Sequence, residues 1–310
     1  MSTSNPTVVA TGLQFPEGPI ALPNGDVLVV EIARGTLSRV RPDGTVEVVA
    51  QLGGGPNGAA IGPDGACYIC NNGGFQWIAR GERLYPGDEP ENYASGRIER
   101  VDLETGEISV VYTNCGGQPL RGPNDLVFDA HGGMWFTDHG KTRPRERDVT
   151  GVYYAKADGS FIAEVLFPMQ GPNGIGLSPD DKELYIAETT TGRLWAYAID
   201  RPGELSGERQ DKADGGRLVK GRDGYFMFDS LAVAGDGRVC VATLIDGGIT
   251  VLAPDHSRPP EFIPMPDALT TNICFGGEDL STAFITLSST GQLVKMPWQQ
   301  PGLPLHYLNR

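Results

Sequence analysis

The chain has 310 residues and a formal net charge of −14, from 25 Lys and Arg against 39 Asp and Glu. Nucleic acids and anionic membrane surfaces are gripped through basic footprints, so this balance argues against both as partners. Glycine (43) and proline (24) make up about a fifth of the residues; this suits many short strands joined by tight turns, not a helical bundle.

Residues 1–6 are polar and lack the apolar stretch of a secretion signal, and no apolar run approaches the ~18 residues of a membrane span. The cytoplasm is therefore the expected compartment. Residues 7–13 read as a strand, and the first full hairpin follows. Residues 17–25 run from Glu17 to a Pro-Asn-Gly turn and lead into the strand 26–31. Residues 36–40 and 45–49 then form a second hairpin-like pair.

The same unit recurs along the chain. It starts again at Asn57, Asn124, Asn173, Asp229 and Asn272, with the six starting residues 40 to 67 residues apart. In four copies an oxygen-bearing side chain stands eight positions ahead of a turn glycine (Gly25, Gly65, Gly132, Gly237), and the copies at Asn173 and Asn272 use a slightly longer turn. Each copy is a hairpin followed by a second hairpin. Four strands per unit and six units at about this period describe an all-β fold, a six-bladed β-propeller of four antiparallel strands per blade. The strand at 7–13 precedes Glu17 much as residues 46–52 precede Asn57, so it is expected to complete the C-terminal blade and close the ring. Residues 1–310 are read as one propeller domain, with few helices.

Two long connections interrupt the repeat. Residues 72–95 follow the second strand of blade two, carry Trp77, Tyr85 and Tyr93, and leave beside the starter residues, so they are expected to act as a lid. Residues 201–216 fall between the outer strands of blade four. Cys67 and Cys70 have redox-motif spacing, but they lie in a strand-like run where residues three apart point to opposite faces. They are read, with Cys115, Cys240 and Cys274, as structural thiols.

The innermost strand of each blade lines a propeller's central channel, so the starter residues Glu17, Asn57, Asn124, Asn173, Asp229 and Asn272 should meet at one mouth. All six offer hard oxygen, and two carboxylates with neutral amides suit a divalent cation such as Ca²⁺. Residues 53–58 match G-x-G-x-x-G but open a strand instead of a helix, and Gly140-Lys141-Thr142 lacks the upstream glycine of a P-loop. The four histidines show no metal-ligand spacing, and no G-x-S-x-G elbow occurs. His139 falls at the ring end of blade three, within reach of a substrate. Arg143, Arg145 and Arg147 just beyond it are placed to meet an anionic substrate, although they read better as a solvated charge run. Tyr225, Phe226 and Phe228 precede Asp229 as an apolar wall or as core.

Phe15-Pro-Glu-Gly-Pro19, Gly122-Pro-Asn-Asp125, Gly171-Pro-Asn-Gly174 and Thr271-Asn-Ile-Cys-Phe-Gly-Gly277 resemble the SMP-30/gluconolactonase (regucalcin-like) family over nearly the whole chain. The resemblance implies a six-bladed propeller that binds a divalent metal, usually Ca²⁺ (Mn²⁺, Zn²⁺, Mg²⁺ or Fe²⁺ being alternatives), and hydrolyses sugar lactones. It implies Glu17, Asn124, Asn173 and Asp229 as metal ligands, with Asp229 as general base or director of the attacking water. Ser230 stands where the closest lactonases would carry Gly, and Arg121 lies three positions ahead of Asn124, one more than in regucalcin-like members. The expected activity is metal-dependent opening of a small sugar lactone, in which Asp229 and Glu17 do the chemistry and Asn57, Arg121, His139 and Asn272 contact substrate. Organophosphate or other ester hydrolysis on the same scaffold, and calcium binding without catalysis, are the alternatives.

Overall fold

The computed structural model describes residues 5–208, 211–219 and 223–310. Strands dominate them and no helix occurs among them. Six antiparallel sheets follow one another along the chain, five of four strands and one of five, because in blade four both Glu204–Leu205 and Arg217–Val219 pair with Arg193–Arg201. Their innermost strands are Pro16–Ala21, Pro56–Ile61, Pro123–Phe128, Pro172–Leu177, Met227–Val233 and Thr270–Gly276. The sixth sheet takes its outermost strand from the other end of the chain. Thr7–Ala10 pairs antiparallel with Gln292–Pro297, which closes the ring as the sequence suggested.

The packing explains why second strands are buried on both faces while outermost strands alternate. Val27–Glu31, Cys67–Asn71 and Gly133–Asp138 are buried throughout, because blades cover both of their faces. Val46–Gln51 and Ile108–Tyr112 turn one side to solvent. Each apolar cluster is shared between neighbouring blades. Cys67 packs with Ile20, Leu28 and Val30 of blade one, whereas Cys70 packs with Leu126 and Phe136 of blade three. The two thiols do point to opposite faces, and burial pushes Cys67 up to about 12, so they are inert packing groups.

One feature was not legible in the repeat. The segment after Trp298 runs under the far mouth of the channel. Leu303 N–H donates to the Val233 carbonyl at 2.9 Å, His306 Nε2 sits 2.9 Å from Asp181 Oδ2, Tyr307 meets Phe128 edge-on, and Leu308 packs on the cluster of Ile20 and Ile61. A cavity of about 110 Å³, lined largely by apolar groups such as Ile20, Ile175, Leu231 and Ile273, lies between this segment and the starter residues.

Candidate active site

At the near mouth every inner strand carries one extra residue against its neighbour. Pro16 pairs with Glu31 and Ile20 with Leu28; Pro56 with Asn71 and Ala59 with Ile69; Pro123 with Asp138 and Leu126 with Phe136. Blades four, five and six show the same irregularity. Such a bulge re-aims a side chain that the regular pleat would turn into a sheet face. In four blades a proline precedes the bulge, where its missing N–H costs no ladder bond because the strand begins there. Gly18, at φ 50°, lets the inner strands converge: a β-carbon there would lie 2.7 Å from the Asn57 carbonyl oxygen.

In this register Glu17, Asn57, Asn124, Asn173 and Asp229 occupy one equivalent position. Blade six departs from the sequence reading. Thr271 takes that position, bonded to Thr286 and Ser288, and Asn272 stands one residue further in. Asn272 still reaches the cluster, donating from Nδ2 to Glu17 Oε2 at 2.7 Å. Asp125 occupies the corresponding place in blade three, where the other copies have Gly18, Gly58, Gly174 and Ser230. It is a third acid at the axis that the sequence reading passed over. The signal was available, since it is the only carboxylate at a position otherwise held by Gly, Ser or Asn.

The strand ends that hold the ring are themselves held. Asp138, fully buried, accepts the N–H groups of Arg121 and Gly122, both at 2.7 Å, and of Gly140 at 2.9 Å. Glu31 accepts Gln14 N–H, and Glu188 accepts Gln170 N–H. In blades one, three and four a buried carboxylate closing the second strand therefore fixes the segment that leads into Glu17, Asn124 and Asn173.

Glu17 is 2% exposed. Its Oε2 takes both Asn272 and the Gly18 N–H (2.7 Å). Burial pushes its carboxyl up to about 7. Burial and the charge of Glu17 lift Asp125 to about 8, and the same causes, in that order, hold Asp229 well above the carboxylate range. No lysine or arginine among the described residues pairs with any of the three. Asp229 keeps partial solvent contact. Asn173 donates to Thr189 Oγ1 at 3.1 Å, which turns its Oδ1 toward blade five, 3.4 Å from Ser230 Oγ. Asn124 Oδ1 is buried with no hydrogen-bond partner. An orphaned amide oxygen beside three uncompensated carboxyls is a donor set suited to a hard divalent cation. Among the described residues no group of three His, Cys, Asp or Glu side chains is arranged to hold a metal, so amide oxygens would have to share the work.

Residues 72–95 form a roof. Their hairpin, Trp77–Arg80 with Arg83–Pro86, leaves blade two and touches distant blades. Trp77 meets Phe15 of blade one at 5.1 Å. Arg83 pairs with Asp267, and Leu84 N–H donates to Ser289, both before or within blade six. Glu89 N–H donates to the Thr142 carbonyl of blade three, and the Glu89 carboxylate pairs with Arg143 at 2.9 Å. A loop that leaves blade two and reaches blades one, three and six must cross the mouth. Lys141 pins its base: the ammonium, 1% exposed, donates to the Gly74 carbonyl (2.6 Å) and Asn72 Oδ1 (3.2 Å) and lies 4.3 Å from the centre of the Phe75 ring. Arg121 sits under the roof's far end, where Tyr93 O–H donates to its carbonyl at 2.5 Å. His139 lies at the rim as expected, its Nε2 accepting from Arg147 at 2.8 Å. Phe226 and Phe228 are core, 5.0 Å apart and buried, and only Tyr225 faces outward.

The sequence model of the SMP-30/Gluconolactonase/LRE-like region matches residues 15–289. The chain belongs to this family. Among curated members it is 27% identical to a gluconolactonase of Zymomonas mobilis over 91% of this chain and 78% of that one. It is 29% identical to the diisopropyl-fluorophosphatase of Loligo vulgaris over 60% of each chain. Of solved structures, the calcium-binding protein regucalcin from Agrobacterium tumefaciens superposes with a TM-score of 0.76, covering 99% and 97% of the two chains at 18% identity, a likeness that speaks to fold alone. The SMP-30/gluconolactonase match takes in all six inner strands and the roof. It ends before the segment that runs under the far mouth.

Proposed function

We propose that the protein hydrolyses a small sugar lactone at the near mouth, with a divalent cation, Ca²⁺ first, held by Glu17, Asn124, Asn173 and Asp229. The convergence of Glu17, Asp229 and the unpartnered Asn124 Oδ1 carries this reading, and the family's gluconolactonase supplies the substrate class. When bound, the cation would supply Lewis-acid polarisation of the ester carbonyl. Asp229 keeps solvent contact, so it takes the proton of the attacking water, a role that contributes typically 10²–10⁴-fold. Glu17, with one oxygen held by Asn272 and Gly18, is fixed in place and anchors. The roof excludes bulk water, and Arg121 and Asn57 border the substrate's space.

A set of aldonolactones assayed with Ca²⁺, Mn²⁺, Zn²⁺, Mg²⁺ and Fe²⁺, before and after exhaustive chelation, tests the proposal. Chelator-sensitive turnover is expected, and turnover that survives chelation removes the metal from it. The Loligo vulgaris relative favours a second reading, phosphotriester hydrolysis, which the same assay with a phosphotriester separates. Metal binding without turnover on either class would leave a calcium-binding protein.

A further inference from the structure

The roof touches blades one, three and six, and among the described residues it makes no hydrogen bond, ion pair or ring contact with blade four. The strands of blade five, Met227–Val233 to Glu261–Pro264, are equally untouched among the described residues, so the open side of the mouth spans blades four and five. Arg147 stands on that edge. It is exposed, and its guanidinium reaches from the blade-three hairpin (Thr142–Arg143 with Glu146–Arg147) across to the start of blade four. Gly171, at φ 67° and two residues ahead of Asn173, makes the room: a β-carbon there would collide with Arg147 Nη2 and lie 3.1 Å from Thr190 Oγ1 and 3.2 Å from His139 Cε1.

Arg147 is held by an imidazole and not by a carboxylate; Arg310 also donates to an imidazole, that of His306, but it pairs with Asp181 as well. Arg143, Arg83 and Arg97 are each paired with a carboxylate, but Arg147 donates to the imidazole Nε2 of His139. A neutral ring places the guanidinium without cancelling its charge. Burial, then the nearby positive charges of Arg147 and Lys141, push the His139 imidazole down to about 3, so it stays a neutral acceptor across the working pH range. One hydrogen bond leaves most of the five guanidinium donors free, in a fork that fits an oxyanion.

We propose that this edge is an anion-reading subsite, in which Arg147, placed by His139 and the gap at Gly171, receives a carboxylate or phosphate carried by the substrate. The inference rests on the lactone-hydrolase reading and narrows it to lactones of sugar diacids or sugar phosphates.

The test compares glucono-1,5-lactone, a glucarolactone and 6-phosphogluconolactone on the full chain and on Arg147→Met and Arg147→Lys. The wild type is expected to favour one charged lactone over the neutral one by about tenfold or more in kcat/KM. Arg147→Met should erase that ratio through KM, and Arg147→Lys, which keeps charge but not the fork, should restore part of it. Which charged lactone wins tells carboxylate from phosphate. No preference in the wild type, or an unchanged ratio in Arg147→Met, overturns the proposal. If no lactone is turned over, calorimetry with glucose, glucuronate and glucose 6-phosphate still decides the subsite. Binding of a charged sugar that Arg147→Met abolishes upholds it, and equal or absent binding of all three overturns it.

Discussion

Glu17 and Asp229 differ less in chemistry than in what surrounds them, and that difference sorts the ring into groups that would grip an ion and groups that would only steady it. Glu17 is sealed and doubly hydrogen-bonded, Asp229 meets solvent, and Asn124 offers an oxygen with nothing to accept from. Glu17→Gln, Asp229→Asn and Asn124→Ala are therefore expected to lower metal affinity by orders of magnitude in calorimetry. Asn272→Ala removes a donor to Glu17, so affinity should drop about 10–100-fold, the usual cost of losing an outer partner of a ligand. Asn57→Ala should keep the ion. Loss of the ion in Asn57→Ala, or wild-type affinity in Glu17→Gln, would show the ion to be misplaced. Most of these residues were legible because the repeat fixes their register. Thr271 was not, because the inner strands bulge at that point and a one-residue bulge leaves no mark in an apolar pattern; Asp125 could have been found as the lone carboxylate at a position otherwise held by Gly, Ser or Asn.

At the scale of elements, the six hairpin pairs could be read from turn chemistry and strand composition, and so could the pairing of the first strand with the last blade. The roof's position could be read only as far as where it leaves, since its contacts with blades one, three and six join residues up to about 200 apart. Lys141 is the clearest case. In the sequence it looked like part of a failed phosphate-loop motif, whereas in the fold it holds the base of the roof. Burial pushes its ammonium down to about 7, and its hydrogen bonds end on roof atoms. Lys141→Met leaves the Gly74 carbonyl without that donor, a local cost of about 1–3 kcal/mol, while Asn72 Oδ1 keeps its bond from the Gly74 N–H. The cost falls on the roof and not on the blades. KM should rise several-fold, limited proteolysis should cut first within residues 72–95, and Tm should move by only a few degrees. A large fall in Tm with the roof still resistant would make Lys141 a core packing group.

For the whole molecule, the cluster at the mouth is a charge problem that the propeller's packing is strong enough to hold in place. Glu17 and Asp125, at about 7 and about 8, keep protons that the unfolded chain would have released at ordinary carboxylate values. A carboxyl raised in this way stabilises the fold fully below its unfolded value, and the contribution is lost as pH climbs through the folded one. The metal-free protein should therefore lose stability between about pH 4 and pH 8. A bound cation reverses the slope, because it displaces those protons and takes their place among the carboxylates. Three outcomes are expected. Chelation at pH 8 leaves the far-UV circular dichroism of the blades intact, since interblade packing does not pass through the ion. The gap in Tm between Ca²⁺-loaded and chelated protein is wider at pH 8 than at pH 5.5. Binding at pH 7 releases protons, which calorimetry detects as an enthalpy that changes with the ionisation heat of the buffer. An equal gap at both pH values, or an enthalpy indifferent to the buffer, would place the ion away from Glu17 and Asp125, and the donor set argued from Asn124 would fall with it.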